Sequence, residues 1–411
     1  MPDWIGKGAR MSAEISYPAL YLKRNEDTRL RAGHLWVFSN EVDVKRSPLT
    51  GFEAGEACVI VDAQDKPLGI GYVNPNSLIC ARLVNRGVEH ALDGSLLVHK
   101  LKVALSLRER LYPEAYYRLV FGEGDGLPGL TLDRFGDVIV AQTTTAGMER
   151  MKDDIAAAVV KVIKPEALVW KNDAAIRALE HLPEYADAGM HALPMALLVR
   201  EGGLTFEIDP IGGQKTGWFY DQRANRDLLA PYVRDARVLD MFSYLGGWGL
   251  RAAAAGAKEV TCVDASASAV EAIGRNARRN GLADRVSAVR ADAFEYLKTQ
   301  RAARERYDVV ILDPPAFVKR KKDFNEGRIA YRRINEMAMQ ILARDGILIT
   351  CSCSYHMPRA ALLDAVQQGA RHLDRNVQVL AQLQQSPDHP VHPAIPETDY
   401  LKGFICRVLP A

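Results

Sequence analysis

No run of 18 apolar residues occurs in the chain, so the sequence offers no membrane-spanning helix. Cysteine is scarce, with six among 411 residues, and none stands at disulfide or zinc spacing; Cys351-x-Cys353 is too tight for the usual zinc pair. His389 and His392 sit in a Pro-rich stretch that reads as a plain loop, so no metal is expected. Charge of either sign is not in excess: 53 Lys and Arg against 51 Asp and Glu leave a net +2 with no basic tail, so any nucleic-acid contact must come from local patches. The start, Met1-Pro2-Asp3-Trp4, lacks the basic and apolar regions of a secretory signal, and a reducing cytoplasm is the expectation. Internal repeats and low-complexity segments are also missing, and the glycine turn at Gly246 to Gly249 lacks the G-x-G-x-x-G spacing, which argues against a dinucleotide dehydrogenase.

What is present is a strand, a glycine turn and a helix. Val238-Leu239 is apolar and suits a buried parallel strand ending at Asp240; Gly246, Gly247 and Gly249 make a turn; Leu250 to Ala257 reads as an alanine-rich helix. A second strand, Glu259 to Val263, ends in Asp264. An acidic residue there, about 20 residues beyond the turn, suits the ribose hydroxyls of an adenosine cofactor. Ser268 to Asn280 is helical by its apolar spacing, with Gly281 as stop signal. Further strands near Val286 to Val289, at Tyr307 to Leu312 and at Gly346 to Thr350 end in Asp292, in Asp313 and in Cys351-Ser352-Cys353-Ser354. These ends, with Asp240, gather at the carboxyl edge of one parallel sheet, where ligands bind in such folds. Phe404 to Val408 reads as a closing antiparallel strand.

Upstream, residues 1–16 read as a tail. Residues 17–90 read as short strands: a hairpin of Ala57 to Val61 and Leu68 to Tyr72 turns at Asp62 to Pro67, and Ser77 to Val84 forms another strand. Arg29, Arg31, His34, Trp36 and Phe38 mix bases with aromatics, either as the charged rim of a small barrel or as an RNA-binding surface. Residues 91–192 read as a small α/β layer. It has a helix from Leu92 to about Leu111, strands within Tyr117 to Ala141, a glycine loop from Gly122 to Gly129, a helix near Met148 to Val162, a strand at Leu168 to Lys171 and a helix near Ala174 to Leu182. A strand at Leu204 to Ile208 opens the last unit, residues 193–411, which starts near Leu193.

The strand and turn pattern resembles the class I S-adenosylmethionine-dependent methyltransferases, and Asp313-Pro314-Pro315-Ala316-Phe317 is similar to the segment found in those acting on nucleobases or amide nitrogens. The string Gly213-Gln214-Lys215-Thr216-Gly217-Trp218-Phe219-Tyr220-Asp221-Gln222-Arg223 resembles the signature of ribosomal RNA methyltransferases with an N-terminal PUA domain, a family that includes enzymes making 5-methylcytosine in 23S rRNA. The likeness runs from about Tyr21 to the C-terminus. One departure is Tyr244, where many methyltransferases carry the first turn glycine. The resemblance implies an α/β chain with a C-terminal Rossmann-like methyltransferase domain, preceded by a β-barrel PUA domain and a middle α/β domain.

It further implies S-adenosylmethionine as cofactor. Asp240, Phe242, Ser243, Tyr244, Gly246 and Gly247 would hold its methionine part, Asp264 and Ala265 its ribose, and Asp292 and Ala293 its adenine. Gln214, Lys215, Asp221 and Arg223 of the signature, with Asp313 and Pro314, complete that set. Large-subunit rRNA is the implied partner, touched by Arg29 and Arg31 and by the run Lys319-Arg320-Lys321-Lys322 at the site entrance, which otherwise reads as solvated surface. A homodimer is also expected.

Cytosine carbon 5 is a poor nucleophile, and a thiolate added at carbon 6 activates it. Cys353 ends strand five in Ser-Cys-Ser, where one group of 5-methylpyrimidine enzymes keeps its nucleophile; the Pro-Cys position used by another group is Pro315-Ala316 here. Cys351 would share a strand face with Cys353 if the strand continues, and it stays open as an alternative. Asp313 is the expected contact to the base amino group or the proton acceptor. A guanine-N7 or other nitrogen methyltransferase, which needs no cysteine, and a non-catalytic RNA-binding assembly factor remain the competing readings.

Overall fold

A computed structural model describes residues 17–190 and 197–411; the expected tail at 1–16 and the boundary at Leu193 lie outside the described residues. The first sheet runs, in spatial order, Ala19–Tyr21, Glu56–Val61, Pro67–Val73, Ala81–Asn85 and Trp36–Val37. The expected hairpin is there, with Val59 opposite Ile70, while the strand read from Ser77 begins only at Ala81. The core of this unit, built on Leu20, Ile60 and Leu83, also takes in Ile395 from the far end of the chain.

The second sheet orders Tyr185–Met190, Ala167–Asn172, Val138–Thr143, Leu130–Phe135 and Tyr116–Phe121. Helix Gly94–Leu111 starts where Asp93 accepts from the amides of Ser95 and Leu96, satisfying two of the amides a helix start leaves free. It packs with Lys152–Ile163 over the sheet. The helix expected near Ala174 is a 3-10 turn, Ala175–Glu180. Its Glu180 meets Arg82 of the first unit in a buried ion pair at 2.9 Å.

The third unit opens with the hairpin Leu197–Glu201 and Leu204–Ile208, turned at Gly202 and Gly203, whose φ values of 57° and 78° lie in the left-handed region. Its seven-stranded sheet runs Val286–Arg290, Glu259–Asp264, Arg237–Met241, Tyr307–Leu312, Leu342–Ser352, Lys402–Pro410 and Arg375–Gln384. Neighbouring strands among the first five pair in parallel, and the last two strands pair antiparallel. Order reverses at Arg237–Met241, which opens a crevice at the carboxyl ends. Side chains alternate between two cores: Val238, Cys262, Ile311 and Cys351 face one, and Leu239, Val263, Leu312 and Leu348 face the other. The first core continues into the second sheet through Phe135, Val140 and Val169.

Candidate active site

The carboxyl ends of Arg237–Met241 and its neighbours open into a cavity of about 330 Å³, within the roughly 300–1,000 Å³ typical of small-molecule sites. One wall is the glycine turn. Helix Gly247–Ala254 begins earlier than expected, because Gly246 takes a left-handed φ of 83° at its start. A Cβ on Gly249 would stand 2.3 Å from Cys262 Sγ, so only glycine lets the helix pack this closely on the second strand. Phe242 and Tyr244 also take positive φ, 63° and 50°; both line the cavity, and such strain gathers at functional sites.

Asp264 holds the turn together. Its two oxygens accept from the amides of Tyr244 and Ser266, each at 2.9 Å. Ser243 Oγ donates to the Asp240 carbonyl at 2.7 Å and accepts from the Val263 amide at 3.0 Å. Asp240 itself lies inside the strand rather than at its end, fully buried and away from the cavity. Its Oδ2 accepts from the Gly249 amide at 2.9 Å, and its Oδ1 has no partner. Burial pushes this carboxyl up to about 7.

The signature turn forms the opposite wall with Gln214, Lys215, Trp218, Phe219, Asp221 and Gln222. Lys215 takes a positive φ of 49° and puts its Nζ 3.2 Å from Asp221 Oδ2 and 4.3 Å from the Phe219 ring centre. Tyr400 donates to the same carboxylate, whose Oδ1 is buried without a partner. Burial works against the charge on Asp221, but Lys215, His389, the Tyr400 hydroxyl and Arg118 outweigh it and hold the carboxyl well below its usual range. Asp313 accepts from Gln222 Nε2 at 2.9 Å and Trp248 Nε1 at 3.0 Å; burial raises its pKa.

Cys353 lines the cavity and is partly exposed, while the other five cysteines are buried. The last parallel strand stops at Ser352, so Cys353 leaves the strand and does not share a face with Cys351, which is sealed in the core. Behind it, Ser352 Oγ donates to the Tyr331 hydroxyl at 2.8 Å, Tyr331 meets Ser354 Oγ at 3.0 Å, and the Val318 amide donates to Ser354 at 3.2 Å. This buried network fixes the cysteine loop against the Asp313-Pro-Pro segment.

Of the residues expected from the sequence, Gln214, Lys215, Asp221, Phe242, Ser243, Tyr244, Gly247, Asp264, Ala265, Asp313, Pro314 and Cys353 meet at this one cavity. Several do not line it. Asp292 is exposed and caps helix Ala293–Ala302 by accepting from Phe294 and Glu295, with Ala293 buried behind it. Arg223 turns toward the second sheet, donating to the Tyr116 carbonyl and stacking on Tyr112 at 4.5 Å. Gly246 shapes the turn without facing the opening. Arg29 pairs with Glu41, Arg31 with Asp27 and Asp62, and Arg320 with Asp323, while Lys319, Lys321 and Lys322 are exposed.

Residues missed by sequence reasoning are Trp218, Phe219, Gln222, Arg226, Leu245, Trp248, Pro315 and Leu401. Most lie inside motifs already singled out, where motif membership was the available signal; Arg226 and Leu401 carried none. His389 does have a carboxylate beside it: its Nδ1 is 2.9 Å from Asp388 Oδ1, buried against the Phe121 ring. The His389 to His392 loop is therefore a structural joint.

The PUA-like domain family matches residues 20–86, and the S-adenosylmethionine-dependent methyltransferase family matches residues 182–402. Ribosomal RNA large subunit methyltransferase I of Klebsiella pneumoniae is 36% identical over 398 residues, covering 96% of this chain and 99% of the relative. The Salmonella gallinarum protein of the same name is 37% identical over 400 residues, covering 96% and 98%. Among solved structures, a chain assigned as a SAM-dependent methyltransferase from Streptococcus mutans superposes with a TM-score of 0.79 at 22% identity, over 95% of this chain and all of that one, a likeness of fold. The chain therefore belongs to the S-adenosylmethionine-dependent methyltransferase family, in the PUA-bearing group that contains ribosomal RNA large subunit methyltransferase I.

Proposed function

We propose that this methyltransferase forms 5-methylcytosine in large-subunit ribosomal RNA, with Cys353 as nucleophile. The carrying observation is that the one partly exposed thiol stands in the same cavity as the sheet-edge carboxylates. The rRNA substrate is the one named for the relatives. The residues suit S-adenosylmethionine: the glycine turn, Asp264 at a strand end for a ribose diol, aromatic walls, and acidic groups facing a cationic ligand. When bound, it supplies the electrophilic methyl group.

Cys353 Sγ adds to carbon 6 of the cytosine, and the carbon 5–carbon 6 electron pair moves toward carbon 5, which takes the methyl group. Asp313, with its pKa raised by burial, removes the carbon 5 proton. The carbon 6–sulfur bond then breaks and Cys353 leaves as thiolate. Three units share the work: a PUA-like barrel over 17–90, a middle layer over 91–192 and the methyltransferase unit. Arg29, Arg31 and Lys319 to Lys322 contact RNA phosphates in this scheme. A ribosomal substrate implies a cytoplasmic protein. The free edge of Arg375–Gln384, with Val379 and Leu380 exposed, supports a homodimer contact.

The test is trapping. 23S rRNA transcribed with 5-fluorocytidine holds the covalent adduct, because fluorine does not leave as a proton does. The adduct is expected in the wild type and in Cys351→Ala and is lost in Cys353→Ala. Full methylation of native transcript by Cys353→Ala would refute the mechanism, and bisulfite mapping would then show whether a cytosine carbon 5 carries the methyl group at all.

A further inference from the structure

We propose that Lys215 acts through Cys353, as the counter-cation that holds its thiolate, and that Asp221 competes with the sulfur for that cation. The inference rests on the reading of Cys353 as nucleophile. All three side chains line the one cavity. Lys215 and Asp221 are joined at 3.2 Å, and they differ in freedom: the Lys215 side chain is 42% exposed, that of Asp221 is 4% exposed. Asp221 is the fixed end, anchored by the Tyr400 hydroxyl. Lys215 is the end able to move. A partly exposed ion pair stabilises a fold little, so folding alone gives weak reason for an ammonium here.

The Cys353 sulfur lies 4.0 Å from the Pro314 carbonyl, Cys351 is buried two residues before it, and the other ionisable groups around it come from several elements. From the signature turn come Lys215 and Asp221; from the strand end before Pro314 comes Asp313; from the last strand and its approach come Lys402 and Tyr400; from helix Phe324–Ile341 comes Tyr331. Burial raises the thiol pKa, the Lys215 ammonium lowers it, and Asp313 and Asp221 raise it again. Lys402 is committed elsewhere, because its Nζ donates to the Ser354 carbonyl at 2.7 Å. Tyr331 is committed to Ser352 and Ser354. When the thiol ionises, its proton leaves to water through the open cavity, and the charge left on sulfur faces the Lys215 ammonium. A compact ammonium suits this better than a planar guanidinium, because a single sulfur offers no bidentate partner.

The experiment is alkylation of the full-length protein by iodoacetamide, without RNA or cofactor, with the Cys353 peptide followed by mass spectrometry from pH 6 to pH 10. Cys353→Ser sets the background. Lys215→Met is expected to move the midpoint up by about one unit, giving roughly tenfold slower alkylation at pH 8, and Lys215→Arg to recover much of the rate. Asp221→Asn is expected to move it the other way. Loss of structure shifts both variants in one direction by exposing the thiol, so opposite signs are the signature of charge. If Asp221→Asn does not fold, the Lys215 pair decides. An unmoved midpoint in Lys215→Met, or a shift downward, overturns the proposal. Because the titration needs no methyl transfer, its outcome is separate from the trapping result: a charge-dependent midpoint together with full methylation by Cys353→Ala would remove the nucleophile and leave the electrostatics standing.

Discussion

Replacing Asp240 with asparagine should remove a pH dependence. The carboxyl is fully buried, Oδ2 accepts from the Gly249 amide at 2.9 Å and Oδ1 has no partner. Burial raises its pKa to about 7, and the negative charges of Asp313 and Asp264 add to the rise. In the unfolded chain the value is about 3.9. Between about pH 4 and pH 7 the native state therefore keeps a proton that the unfolded chain has released. Stability falls as pH rises through that window, by about 1.4 kcal/mol per unit and roughly 4 kcal/mol in all. Asparagine is neutral throughout and keeps an acceptor for Gly249. Urea denaturation of both proteins, followed by tryptophan fluorescence, should show Asp240→Asn gaining roughly 3 kcal/mol on the wild type between pH 5 and pH 8. Parallel profiles would mean that Asp240 is ionised in the native state and that a partner for Oδ1 has been overlooked.

Asp264→Ala should weaken S-adenosylmethionine binding by about 1–3 kcal/mol, through lost charge-assisted hydrogen bonds and a looser Tyr244 turn; unchanged affinity by calorimetry would remove Asp264 from the cofactor site. Glu180→Ala leaves Arg82 buried without its carboxylate between the first two units, which should cost about 3–5 kcal/mol in urea denaturation. An unshifted midpoint would show that the units do not depend on that pair.

The parallel strands of the catalytic sheet were legible because strands buried on both faces read as short continuous apolar runs, and their acidic ends stood out against them. Strand Arg375–Gln384 was not legible. It is an edge, exposed over much of its length, and Asn376, Gln378, Gln382 and Gln384 dilute its apolar pattern. Asp240 and Asp292 show a second limit. An acidic residue at a strand end looks the same in sequence whether it lines a cavity, bonds a buried amide or caps the next helix, and here the three outcomes fell to Asp264, Asp240 and Asp292. Which of Cys351 and Cys353 reaches the cavity depends on where the strand stops, a boundary that apolar runs define poorly.

The cavity also depends on parts of the chain that no local motif connects to it. The signature turn is braced from the second sheet: Thr216 donates to Asp133, Tyr220 to the Arg134 carbonyl and Arg223 to the Tyr116 carbonyl. Lys215, Asp221 and Gln222 thus take their positions from strands between 83 and 107 residues upstream. From the other side, the segment between Gln384 and Lys402 sends Ile395 into the core of the PUA-like unit, Tyr400 to Asp221 and Leu401 to the cavity. That segment touches the middle layer as well, because Arg108 donates to the Asp388 carbonyl at 2.7 Å and the Arg118 amide to Asp388 Oδ2 at 2.9 Å. The same short segment therefore joins the core of the PUA-like unit to the hydroxyl that anchors Asp221. The middle layer is part of what holds the site's charges in place, and cutting the chain at its end would expose Phe135, Val140 and Val169, which complete the catalytic core.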